Sequence, residues 1–236
     1  MIWANMREEE FAQAIEASQG ICVMPVGCLE MHGQHLPVGT DILKASYILR
    51  RAAEIEHVCV FPDFSFGDVQ GLTTHKGSIR LTIELEQWLM IELCREIARN
   101  GFDKIMLFNS HGGNNAFLNT FVSSTRRSGI DYTVRIFYNQ IGKFAHPAYM
   151  LDLIRQQGRE VLPELTDDDL SVLQDFVDKK KKGGHACFME TAVMLGCYPE
   201  LVRMDRINEV SGISTEAARY LDEAGLNKST RFWGVN

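Results

Sequence analysis

Residues 104–124 read KIMLFNSHGGNNAFLNTFVSS. The run Ile105–Phe108 is continuously apolar, as a strand buried on both faces is. Asn109 to Asn115 then turn polar, with two glycines and a histidine, and residues 114–129 read as a helix. Strand, glycine-bearing turn, helix: this is half of a β-α-β unit, and its recurrence decides the fold class.

The unit does recur. GICVMPVG (20–27) reads as a short buried strand ending at Gly27, followed by the amphipathic helix DILKASYILRRAAEIE (41–56). HVCVFPDFSFG (57–67) reads as a strand and then a loop. TIELEQWLMIELCREIARNG (82–101) reads as a long helix that stops at Gly101, a good residue just past a helix end. DYTVRIFYN (131–139) reads as a fourth strand. Ahead of them all, MREEEFAQAIEAS (6–18) has helical periodicity, with Phe11, Ala14 and Ile15 on one face. The expectation is an α/β protein: a mostly parallel central sheet covered by helices on both faces, joined by right-handed crossovers.

Past about residue 140 the alternation gives way to helices: HPAYMLDLIRQQG (146–158), a Thr166-capped helix running into Lys179–Lys182, HACFMETAVMLG (185–196) and the exposed STEAARYLDEAG (214–225). The lysine run reads as a solvated segment. No internal repeat, low-complexity tract or linker interrupts the chain, so a single domain over 1–236 is expected.

Composition bounds the function. The chain has 236 residues, is 45% hydrophobic and 23% charged, and carries a net charge of −7. That balance argues against a broad nucleic-acid footprint or an anionic membrane surface. No apolar run approaches the ~20 residues of a membrane span. The N-terminus has neither the basic start nor the apolar core of a signal peptide. Six cysteines with no C-x-x-C pair read as free thiols in a reducing cytosol, so a cytoplasmic location is expected.

Ligands of open parallel sheets bind beyond the carboxyl ends of the strands. Glu30, His32, His35 and Asp41 follow the first strand; Asp63, Asp68 and, further on, His75 follow the second; Asn109, His111 and Asn114 follow the third. In extended backbone, Glu30 and His32 point to the same side. Asp41 stands at a helix start, where the helix dipole favours an acid. Gly112 and Gly113 let backbone approach a ligand, and the helix they precede offers N–H groups to an anion or oxyanion. His185 and Glu190 sit at a later helix start. Cys187 beside His185 suggests a thiol nucleophile, but no third residue orients the pair. Carboxylates with imidazoles, and no cysteine in the cluster, make a ligand set for Zn²⁺, Mn²⁺ or Fe²⁺.

PVGCLEMHGQHLPVGTD, GSIRL, NSHGGNN and HACFMET occur in an order that resembles the creatininase (creatinine amidohydrolase) family, over about residues 21–202. The resemblance implies a three-layer α/β/α sandwich and a dinuclear metal hydrolase. By motif position it implies Glu30, His32, Asp41 and His111 as metal ligands, with Asp41 bridging. It also implies Glu190 as a further ligand and catalytic residue, and His185 as a catalytic residue that moves protons. His35, Gly112, Gly113 and Asn114 fall to substrate binding or to support of the ligands. Two divalent ions per subunit are implied, zinc first, manganese or iron as alternatives, with a small-molecule substrate and a homo-oligomer, often a hexamer. The chain departs from the pattern at Cys28, where the family carries a small hydroxyl residue, and at Gly113, where creatinine-hydrolysing members carry an acidic ligand.

The expected reaction is hydrolysis of a C–N bond in a small, cyclic amide. Deformylation of a formamide and hydrolysis of a keto-cyclitol or keto-sugar ring are the hydrolytic alternatives. A metal or small-molecule binding protein on the same fold, or a ring-forming scaffold, are the alternatives outside catalysis.

Overall fold

The computed structural model describes residues 1–69, 71–127, 129–138, 141–180, 184–209 and 223–224. Two compact units form: Met1–Tyr138 with Arg203–Asn236, and Asn139–Val202.

The first unit is built on four parallel strands, β1 (Ile21–Val26), β2 (Cys59–Val60), β3 (Lys104–Asn109) and β4 (Thr133–Tyr138), in the order β2-β1-β3-β4. Its helices are α1 (Phe11–Ala17), α2 (Thr40–Ile55), α3 (Ile83–Arg99) and α4 (Asn114–Ser124). Alternation along the strands sends side chains to opposite faces. On one face Cys22, Met24 and Val26 of β1 and Ile105 and Leu107 of β3 pack with Ala14 of α1, Met90, Cys94 and Ile97 of α3, and Phe117, Leu118 and Phe121 of α4. On the other, Val23, Val60 and Phe108 pack with Ala45 and Leu49 of α2. Helices therefore cover both faces of a parallel sheet, the α/β/α layering expected. Each large side chain buried in these clusters contributes about 1.5–3 kcal/mol of transfer free energy.

The second strand is shorter than the sequence suggests. Pro62 has no N–H to give to a ladder, and regular pairing stops at Val60. The chain still follows β1 irregularly: Phe61 N–H donates to the Val23 carbonyl and Phe64 N–H to the Pro25 carbonyl, both at 2.9 Å.

The topology sets the site. α2 leaves β1 across one face and α3 returns across the other, so the order reverses between β1 and β3. Crevices of open sheets lie at such a switch point, beyond the carboxyl ends of the strands. The loops after Val26 and Asn109 meet there.

The second unit contains α5 (Ile141–Phe144), α6 (Pro147–Gln157), α7 (Asp167–Asp178) and α8 (Phe188–Cys197). The His146 side chain accepts the Ala148 N–H and Pro147 occupies the first turn of α6. Thr166 and Asp169 form a reciprocal capping box on α7. Phe176 packs edge-on against Phe188 at 5.1 Å, joining α7 to α8. Lys181 and Lys182 of the lysine run, and all but two residues of the expected 214–225 helix, lie outside the described residues.

Candidate metal centre

The loop after β1 is pinned at several points. Glu30 N–H donates to the Val38 carbonyl at 2.9 Å, closing the loop on itself. The GSI motif holds it from outside: Ile79 N–H donates to the Leu29 carbonyl and Met31 N–H to Ser78 Oγ. Gly27 is required by close packing, since a Cβ there would lie 2.6 Å from the Ile42 nitrogen at the start of α2. That approach carries Asp41, second residue of α2, to the loop. One expectation changes: β1 ends at Val26, so Glu30 and His32 leave an irregular loop, not an extended strand.

Asp41 is the hub. It is buried, and its two carboxylate oxygens face different partners. Oδ1 lies 3.6 Å from His32 Nε2 and 3.1 Å from Lys44 Nζ. Oδ2 lies 2.8 Å from His111 Nδ1 and accepts the Cys28 thiol at 3.4 Å. Glu30 Oε1 stands 3.2 Å from the same His111 Nδ1.

Both histidines are aimed by backbone carbonyls. His32 Nδ1 lies 3.0 Å from the Glu30 carbonyl, and His111 Nε2 lies 3.0 Å from the Asp68 carbonyl. A carbonyl only accepts, so those nitrogens carry the protons and the others point at Asp41. Metal-ligating histidines are oriented in this way.

The charges fit the geometry. Burial opposes ionisation of Asp41, but His32, Lys44 and His111 outweigh it and hold its carboxyl well below the usual range. Burial likewise opposes the imidazolium of His111, yet hydrogen bonds with Asp41, Cys28 and Glu30 raise its pKa well above the ordinary value. Burial pushes the Cys28 thiol up. A centre that concentrates two carboxylates in the interior needs cationic partners, and Lys44 and the imidazoles of His32 and His111 face them.

The turn NSHGGNN is braced from within. Asn109 Nδ2 donates to the His111 carbonyl, and His111 N–H donates to Asn109 Oδ1. Asn114 is fully buried; it donates to Asn109 Oδ1 and accepts the Asp68 N–H at 2.8 Å. Asn114 thus holds the backbone of Asp68, whose carbonyl aims His111. At Gly113 an added Cβ would lie 2.4 Å from His111 Nε2 and 2.6 Å from the Asp68 oxygen, so no side chain fits there. Gly112 is exposed with open space around its Cα. His35 is buried and its carbonyl accepts the Arg203 N–H, but it joins no donor cluster among the described residues.

Cys28, Glu30, Asp41 and His111 each bring one donor atom, all within 4.8 Å of one another and all buried. This overturns the expectation of a cluster without cysteine. Lys44 and Cys28 are the two members that sequence reasoning missed. Their only signals were position, one helical turn after Asp41 and two residues before Glu30. In the second unit Glu190 accepts the Ala186 N–H at 2.7 Å, and Ala186 holds a left-handed φ of 50° between His185 and Cys187. The Glu190 carboxylate therefore shapes the His185 turn. A buried set of carboxylates, carbonyl-oriented imidazole and thiol fits a divalent cation by its donor chemistry.

The sequence profile of the creatininase family, described as creatinine amidohydrolase, matches residues 4–232. The chain is 26% identical over 209 residues to creatinine amidohydrolase of Pseudomonas putida, covering 84% of this chain and 72% of that protein. A solved structure described as "Creatininase Mn" superposes with a TM-score of 0.65 at 24% identity, over 87% of this chain and 76% of the other. A mutant creatininase of "Zn-Zn type" does so with a TM-score of 0.63 at 23% identity, over 87% and 75%. Among the described residues no helix is long and apolar enough to cross a membrane. With its α/β fold, its ordered motifs and a profile match along nearly its whole length, the chain belongs to the creatininase family of metal-dependent hydrolases acting on C–N bonds.

Proposed function

We propose that the protein is a dinuclear metal hydrolase that opens or cleaves a small, cyclic amide. The observation that carries this reading is the Asp41 carboxylate: one oxygen faces His32 and the other faces His111, and each histidine is oriented by a backbone carbonyl on its far nitrogen. A carboxylate so placed would serve two cations, one through each oxygen. Glu30 joins His111 on one side. The relatives described with manganese and with zinc support the same two metals here.

When bound, divalent ions supply Lewis acidity toward a carbonyl oxygen and acidify water at neutral pH. The chain's own groups do the rest. Asp41, Glu30, His32 and His111 would hold and orient the cations. The amides about Gly112 and Gly113 stand at the start of α4 as donors to a developing oxyanion. Following its motif, His185 donates a proton to the leaving nitrogen, and Glu190 assists as a further ligand. His35 lies on the same loop as Glu30 and serves the substrate side. The motif HACFMET supports both roles. The profile match over residues 4–232 supports one hydrolase domain across 1–236, and the family resemblance supports a homo-oligomer, a hexamer built from dimers.

The substrate class follows the family name only in part. Gly113 stands where creatinine-hydrolysing members carry an acid, and the space there is filled by His111 and the Asp68 carbonyl. Formamides and keto-cyclitol or keto-sugar rings therefore belong beside creatinine-like rings in any screen. Lys44 favours a second reading, in which its ammonium, 3.1 Å from Asp41 Oδ1, stands in for one of the two divalent ions.

The test uses metal-reconstituted protein against a panel of small cyclic amides, formamides and keto-cyclitols. Turnover of one class is expected, with loss in Asp41→Ala while the fold is retained by circular dichroism. Full activity in Asp41→Ala would refute the proposal.

A further inference from the structure

We propose that Cys28 is itself a metal ligand, a thiolate that completes a four-donor site with Glu30, Asp41 and His111. The inference rests on the metal centre proposed above and goes beyond the family pattern, which has a small hydroxyl residue at this position.

Geometry carries the argument. Four ligands arranged tetrahedrally around one ion, nitrogen and oxygen at about 2.1 Å and sulfur at about 2.3 Å, stand about 3.3–3.6 Å apart. Cys28 Sγ lies 3.4 Å from Asp41 Oδ2, and His111 Nδ1 lies 3.2 Å from Glu30 Oε1. His111 Nδ1 and Asp41 Oδ2 are closer, at 2.8 Å, where a hydrogen bond joins them. All four donor atoms fall within 4.8 Å of one another, and all four residues are buried. The thiol proton is already directed at Asp41 Oδ2, so the sulfur faces the space that the carboxylates and the imidazole enclose.

The chemistry is an exchange of a proton for a cation. A divalent ion displaces the thiol proton, a sulfur–metal bond forms, and the proton passes to solvent with no change of oxidation state. Two consequences follow. Four protein donors would fill a tetrahedral ion, so this position would be closed and water and substrate would meet the ion beside His32. A soft sulfur ligand also favours zinc, cobalt or cadmium over manganese and magnesium.

Titrating metal-free protein with Co²⁺ tests this without reference to turnover. The expected result is visible d–d absorption of tetrahedral intensity together with a near-ultraviolet sulfur-to-cobalt charge-transfer band. Cys28→Ser should keep the d–d absorption, lose the near-ultraviolet band and lower the preference for zinc over manganese by about 10–100-fold. X-ray absorption at the zinc edge of the wild-type protein gives a check that needs no variant: a sulfur neighbour at about 2.3 Å is expected. Visible d–d absorption without the charge-transfer band, a band that survives in Cys28→Ser, or a shell of nitrogen and oxygen alone would overturn the assignment and leave the metal centre standing. Failure to bind cobalt or zinc at all would overturn both.

Discussion

Glu86 lies in the first turn of α3 with its side chain fully buried, and among the described residues neither carboxylate oxygen has a hydrogen-bond partner. Burial raises its pKa from 4.5 to about 7; the nearby Asp68 adds to the rise, while Arg80 and His111 oppose it. The folded protein thus binds a proton at Glu86 that the unfolded chain releases at lower pH. Stability from this proton is complete below the unfolded pKa and is lost as pH rises through about 7. A shift of that size is worth about 3.4 kcal/mol in full, of which about 2.5 kcal/mol falls between about pH 5 and pH 8. Glu86→Gln removes the titration and keeps the shape. Urea unfolding of both proteins at the two pH values reads the effect. Wild type should lose about 2.5 kcal/mol relative to the variant on going from the lower pH to the higher. The fixed cost of burying an amide cancels in that comparison. A stability difference that stays flat across the range would show that Glu86 does not take up a proton on folding.

The same centre yields two further expectations. Gly113→Ala places a Cβ 2.4 Å from His111 Nε2 and must break its contact with the Asp68 carbonyl; metal affinity, measured by competition with a chelating dye, should fall by about 10–100-fold, and an unchanged affinity would show that this carbonyl does not aim the ring. Asp41, whose pKa is depressed, contributes stability above its unfolded value, lost as pH falls through the folded one. In metal-free protein the stability gap between wild type and Asp41→Asn should therefore narrow on acidification below about pH 4, and a gap that held constant would contradict the assignment of charge.

The periodic parts of this fold were legible because local sequence determines them. The apolar run Ile105–Phe108 became β3, and the Thr166 cap and its partner Asp169 start α7 as written. The shortened β2 was legible in principle, since Pro62 interrupts it. Glu30, His32, Asp41 and His111 could be named because their motifs are local, and the structure draws all four together around Asp41. What escaped was direction. Whether Cys28 faces the core or the centre depends on how the irregular loop from Gly27 to Gly39 closes, which Val38, Ser78 and Ile79 decide. Lys44 reads as one more polar position on an amphipathic helix until its ammonium is seen against Asp41. Glu86 and His111 are brought close only by the packing of α3 beside the loop that carries Asp68. No pattern in a single chain encodes that meeting.

On the proposed function, the Asp41 carboxylate would serve two cations, one through each oxygen. Metal analysis of purified, reconstituted protein tests it most directly. About two equivalents of zinc or manganese per chain are expected in wild type, with loss of both in folded Asp41→Ala, because a shared ligand would serve each site. One equivalent in wild type would favour Lys44 as the second cation, and two equivalents retained by Asp41→Ala would contradict the bridge outright.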